Sequence, residues 1–153
     1  MAQYHAEVQA PRPYPQRAGS LPWSKEEVTA ESLTALLQNE YPGIVVESMQ
    51  EVEFIDSHTS KLRVKLELNQ VGKDAGIPED VCIKSNYSGA FSNVDICQLE
   101  AEFYHHAIPK MSLPTVKCYY SDWDDDGKGH GIVILDDLVS VSYTHLTLPT
   151  IRL

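Results

Sequence analysis

The chain has 153 residues, 42% hydrophobic and 22% charged, with a formal net charge of -10. That is the balance of one ordinary globular domain with a single core. No dense Lys/Arg cluster offsets the acidic excess, so nucleic acid and an anionic membrane surface are excluded as main partners, since both need a basic face. No apolar run is long enough to span a bilayer and no signal-peptide pattern heads the chain. Cys82, Cys97 and Cys118 are odd in number, far apart and outside any CxxC pair. They speak against a disulfide framework or zinc site and for a reducing, cytoplasmic setting.

Residues 1–23 carry Pro11, Pro13, Pro15 and Pro22 among few core formers and read as a flexible leader. A helix follows, with Thr29 as its cap and Leu33, Leu36 and Leu37 as its apolar stripe; Ser24 with Glu27 is an alternative, earlier capping box. Pro42-Gly43 stops it. A strand is expected over about 44–54, then a polar turn, Asp56 to Ser60. A second strand shows strict alternation: Leu62, Val64, Leu66 and Leu68 against Arg63, Lys65 and Glu67. Residues 69–80 read as a loop, Asp80 to Lys84 as a short third strand, and the stretch around Gly89 as another loop.

The next helix, capped by Ser92 and closed by Pro109, places Ile96, Leu99, Phe103 and Ala107 on one stripe. Glu100 falls inside that stripe and Glu102 on the opposite, polar side. A carboxylate aimed into a core needs a cation to meet it, so Glu100 demands a partner. Thr115 to Tyr120 reads as a strand, Asp122 to Gly131 as an acidic, solvated turn, and Ile132 to Leu135 as a fully apolar strand. The order helix, three strands, helix, two strands implies an α+β fold with a mostly antiparallel sheet.

Other patterns are weaker. Asp122, Asp124, Asp126 and Gly127 imitate the start of an EF-hand loop, but its twelfth position is Val133 where a carboxylate is required, so calcium is rejected. His105 and His106 point in different directions around the helix and read as surface residues. Trp23 and the tyrosines read as packing residues.

Several of these segments together resemble one family. Val81-Cys82-Ile83-Lys84 resembles the V-A-I-K strand of kinases, and a helix with an inward glutamate follows about 16 residues on. Glu100-Ala101-Glu102-Phe103-Tyr104 is similar to the E-x-x-F-Y helix of the aminoglycoside phosphotransferase and ecdysteroid-kinase-like (CHK kinase-like) superfamily. Leu113-Pro114 before Cys118-Tyr119-Tyr120, and Gly131 to Leu138, resemble that superfamily's later steps. The likeness covers about residues 28–139 and implies a protein-kinase-like amino-terminal lobe over 24–140. It has a five-stranded sheet, an N-terminal helix and a second packed helix bearing the glutamate.

The superfamily phosphorylates hydroxyl groups of small molecules with ATP and Mg²⁺. By that resemblance Lys84 holds the α- and β-phosphates and Glu100 orients it. Cys82 forms part of the ceiling over adenine, and Asp137 and Leu138 offer backbone hydrogen bonds to the adenine edge. Ser57, Thr59 and Ser60 lie over the phosphates. That loop has no glycine, whereas close backbone approach to phosphate usually needs one. The superfamily's H-x-D…N loop and the metal-binding aspartate motif beyond it are not found after the apolar strand.

Val141 to Thr150 resembles the translation of a transposase-type sequencing adapter, which implies that residues 141–153 are non-native and that the chain is a truncated lobe. The alternative from a different class is a small, acidic, stand-alone α+β binding or regulatory domain without catalysis.

Overall fold

The computed structural model describes residues 21–87, 96–112, 114–124 and 127–139. Helix α1, Ala30–Leu37, opens with a reciprocal capping box. The Thr29 hydroxyl accepts from the Ser32 N–H, and the Ser32 hydroxyl accepts from the Thr29 N–H. The alternative box does not form: Ser24 makes no side-chain cap, and Lys25–Glu27 is a single 3₁₀ turn. Past α1 the chain reverses through Gly43, whose φ of 85° lies in the left-handed region.

Five strands build one sheet: β1 (Val46–Ile55), β2 (Ser60–Leu68), β3 (Asp80–Ser85), β4 (Cys118–Trp123) and β5 (Gly131–Asp136). Their spatial order is β1-β2-β3-β5-β4 and every pairing is antiparallel. The fold is α+β. Between β2 and β3 the expected loop contains a short helix, α2 (Gln70–Asp74). The Asn69 side chain makes it possible: its oxygen accepts from the N–H groups of Gly72 and Val45, and its amide donates to the Gly43 carbonyl. The expected strand at Thr115 begins later, at Cys118 and continues to Trp123.

Period two sorts the strands onto two faces. On one face Leu62, Val64, Leu66, Leu68, Val81, Ile83, Ile132 and Ile134 join Leu33, Leu36 and Leu37 of α1 in the main core. Leu21 belongs to the same cluster and Pro22 is buried, so the last residues of the expected leader are part of the packed body. On the other face lies helix α3, Ile96–Glu102, which continues through a π turn (Phe103–Ala107) and a 3₁₀ turn (Ile108–Lys110). Pro109 therefore lies inside the final turn. Ala101 packs there with Trp123, Val133 and Leu135 in a second, smaller core.

The expected stripe on α3 is corrected. Ile96, Leu99 and Phe103 are exposed, while Cys97, Ala101 and Glu102 are buried. Close packing selects the small residues for the sheet side, and the π turn changes the phase beyond Glu102, so Phe103 and Ala107 do not continue one stripe. Glu102 accepts a hydrogen bond from the Gln98 amide at 2.7 Å. Glycine at 131 is what lets α3 come so near: a Cβ there would sit 2.4 Å from the Cys97 carbonyl oxygen.

Two further expectations change. Asp122 is a buried strand residue, not a solvated turn: it accepts from the Tyr120 hydroxyl and the Trp123 N–H, both at 2.8 Å. His105 and His106 are half-buried, with their rings against Trp123. Trp23 stacks on the buried His130 at 4.0 Å between ring centres. The proposed Ser92 cap, the loop around Gly89, Leu113, Asp126 and the tail from Ser140 lie outside the described residues.

Candidate functional site

The second face of the sheet is only partly covered. Helix α3 lies over β4 and β5, and among the described residues no helix lies over the polar side chains of β1, β2 and β3. Strand register fixes these side chains in two rows. Ile55, Lys61, Lys84 and Val133 form one row, and Glu53, Arg63, Cys82 and Leu135 form the next. Cross-strand partners on the same face stand typically about 5 Å apart at Cβ.

Lys84 sits where this open region meets α3. Its ammonium donates to Glu100 Oε1, in a short charge-assisted contact across 16 residues of sequence. Both side chains are about one-fifth exposed. The pair exists because β3 aims Lys84 away from the α1 core while Ala101 seats α3 on β5. Glu100 therefore does meet a cation, although it reaches it from the flank of α3 and not from a buried apolar stripe. Cys82, two residues earlier on the same face, is half-buried. Burial pushes its thiol pKa up, the Asp137 carboxylate adds to that, and the positive charges of Lys84, Lys61 and Arg63 oppose it. Burial likewise raises the Cys97 thiol to about 11.

Asp137 is buried at the exit of β5, and its carboxylate is gripped by Arg63. The guanidinium Nε lies 3.1 Å from both oxygens and a terminal nitrogen 3.0 Å from one. Arg63 also pairs with Glu53 at 2.6 Å. The Val139 N–H donates to Asp137 Oδ1 at 3.2 Å. This clamp holds the segment Asp137-Leu138-Val139 at the end of β5, with Leu138 exposed. Arg63 was legible only as the polar partner in an alternating strand. A pair separated by 74 positions leaves no local signal.

The turn between β1 and β2 is arranged differently from the sequence expectation. The Ser57 hydroxyl donates to the Thr59 carbonyl at 2.7 Å, and the buried Ser60 hydroxyl contacts Asp56 Oδ1 at 3.4 Å. The Ser57 and Ser60 hydroxyls are thus engaged within the protein. The turn leads directly into the Lys84 row, since Ser60 and Lys61 pair with Ser85 and Lys84.

Lys84, Glu100 and Cys82 are therefore gathered in one region with Asp137 at its edge. Among the described residues no group of three His, Cys, Asp or Glu side chains is placed to hold a metal ion, and no helix is long and apolar enough to cross a membrane. In comparison with known proteins, the chain matches no family model, no curated protein and no solved structure.

Proposed function

We propose that this face is the nucleotide-binding half of an ATP-dependent phosphotransferase site acting on hydroxyl groups of small molecules, and that the chain is the amino-terminal lobe of a cytoplasmic enzyme of the aminoglycoside phosphotransferase and CHK kinase-like type. One observation carries the reading: a third-strand lysine, Lys84, is held by a glutamate of the following helix, Glu100, on the α3 face of a five-stranded antiparallel sheet. In kinases that ion pair points the lysine at the nucleotide phosphates. Without Glu100 a lysine samples many rotamers; with it the ammonium is fixed before ligand arrives.

The neighbouring groups suit the same ligand. Cys82 is small, half-buried and two residues from Lys84 on the same face, which fits the flat face of a base. The Arg63 clamp on the Asp137 side chain holds the Asp137-Leu138 segment in place, and this reading assigns the backbone of that segment to the edge of the base. Magnesium finds no cluster among the described residues, and no catalytic base is assigned to this chain. In this reading both belong to the partner lobe, and the isolated chain transfers no phosphoryl group.

Nuclear magnetic resonance titration of the 153-residue chain with ATP tests the reading. Amide shifts at Cys82, Lys84 and Leu138, with millimolar affinity, are expected. If those amides stay still while ATP is in excess, the chain is better described as a stand-alone α+β domain without nucleotide. Magnesium-dependent phosphoryl transfer by the purified chain would overturn the single-lobe assignment. Sequencing the source gene across codon 140 checks the same point: an open frame running on into an H-x-D…N segment supports the lobe.

A further inference from the structure

We propose that Lys61 is a second anion-holding residue of this face, and that Lys61 and Lys84 take a polyphosphate chain between them. The inference rests on the nucleotide reading for its setting but stands on its own geometry. Lys61 of β2 is the direct register partner of Lys84 of β3, so the two ammonium-bearing chains leave the sheet side by side on one face. Both charges are felt at the Cys82 thiol.

Like charges placed directly opposite on an antiparallel pair destabilise it. Lys84 is neutralised by Glu100, but Lys61 is exposed and makes no ion pair among the described residues. The carboxylates nearest in the rows are already engaged. Glu53 and Asp137 are held by Arg63, and Asp56 contacts the Ser60 hydroxyl. On its other side Lys61 faces Ile55, which offers no charge. A phosphate group between Lys61 and Lys84 supplies the counter-charge that Lys61 lacks among the described residues and meets two donors at once.

The same placement answers the problem of the glycine-free turn. The turn Asp56 to Ser60 has no glycine, and its Ser57 and Ser60 hydroxyls are used internally, so it is poor in donors for phosphate. Lys61 leaves that turn on the first exposed position of β2. A lysine on a flexible four-carbon stem supplies from the strand what the loop lacks.

The test uses the 153-residue chain, with inorganic tripolyphosphate and ATP titrated separately. Thermal melting and amide shifts are followed for the wild type, Lys61→Gln, Lys61→Arg and Lys84→Gln. Tripolyphosphate is expected to raise the melting temperature of the wild type and of Lys61→Arg. Lys61→Gln should bind it about five- to tenfold more weakly. Without ligand, Lys61→Gln should melt at or above the wild-type temperature, because a like-charge contact is gone; a purely structural lysine gives a lower melting temperature. Wild-type affinity in Lys61→Gln, or no tripolyphosphate binding by the wild type, overturns the proposal. The nucleotide reading fails separately. If ATP binds no tighter than tripolyphosphate, the polyphosphate site stands and the base site does not. If Lys84→Gln loses ATP and Lys61→Gln keeps it, the nucleotide reading stands and Lys61 has no part in it.

Discussion

On the α1 side of the sheet Leu62, Val64, Val81, Ile83, Ile132 and Ile134 are each no more than 1% exposed. On the other side, the residues interleaved with them include Arg63, Cys82, Lys84, Val133 and Leu135. The same strands thus supply a dry, branched-chain layer and a mixed layer of cations, thiol and aliphatics. The dry face carries the hydrophobic driving force and tolerates no polar group without a partner. The mixed face keeps its charges because it is only half covered, and because Glu100, Glu53 and Asp137 meet two of its cations. The dry core and the charged face are separated by one residue step along β3, between Ile83 and Lys84.

The strongest way to break that contrast is to damage the dry face. Ile83→Ala should cost about 2–5 kcal/mol, the range for truncating a fully buried aliphatic in a packed core. Denaturant unfolding should show a lower midpoint with an unchanged slope. A loss below about 1 kcal/mol would mean that the α1 layer is not the main core.

A smaller effect is expected where the two faces are coupled. Gly131→Ala puts a methyl group 2.4 Å from a backbone oxygen of Cys97, which cannot rotate away. Helix α3 must move as a body, so a cost of about 1–3 kcal/mol follows, together with shifted amides at Glu100 and Lys84. Wild-type stability with unshifted amides at those two positions would show that α3 is not seated by this contact.

The contrast also explains what could be read from sequence. The alternation of Leu62 to Leu68 with Arg63 to Glu67 is a local, period-two signal, and the structure follows it. So do the Thr29 cap of α1 and the apolar run of β5. The face of α3 was not legible, because its docking depends on small residues at Cys97 and Ala101 and on a glycine from a distant strand. Hydrophobicity alone ranks Ile96, Leu99 and Phe103 above them. The Lys84–Glu100 contact is named through the family resemblance, whereas the helix-stripe argument for Glu100 places it on a buried face that α3 does not have. The Arg63–Asp137 clamp could not be anticipated, since each residue alone looks like an ordinary charge at a strand edge. In the turn between β1 and β2, hydroxyl-rich sequence shows donors but not which of them the protein itself uses, as it does at Ser57 and Ser60.

The smallest stability effect should fall on the residue that matters most to the proposed chemistry. Lys84 and Glu100 are each about one-fifth exposed, so solvent screens their attraction, and Lys84→Met should change unfolding free energy by about 1 kcal/mol or less. The methionine stem keeps the packing of the lysine stem while removing its charge. ATP-induced amide shifts at Cys82 and Leu138 should nevertheless disappear. Intact folding with lost ligand response assigns the pair to binding. A loss of several kcal/mol would instead make it a structural tie between β3 and α3, since a pair kept for its ligand should contribute little when the ligand is absent.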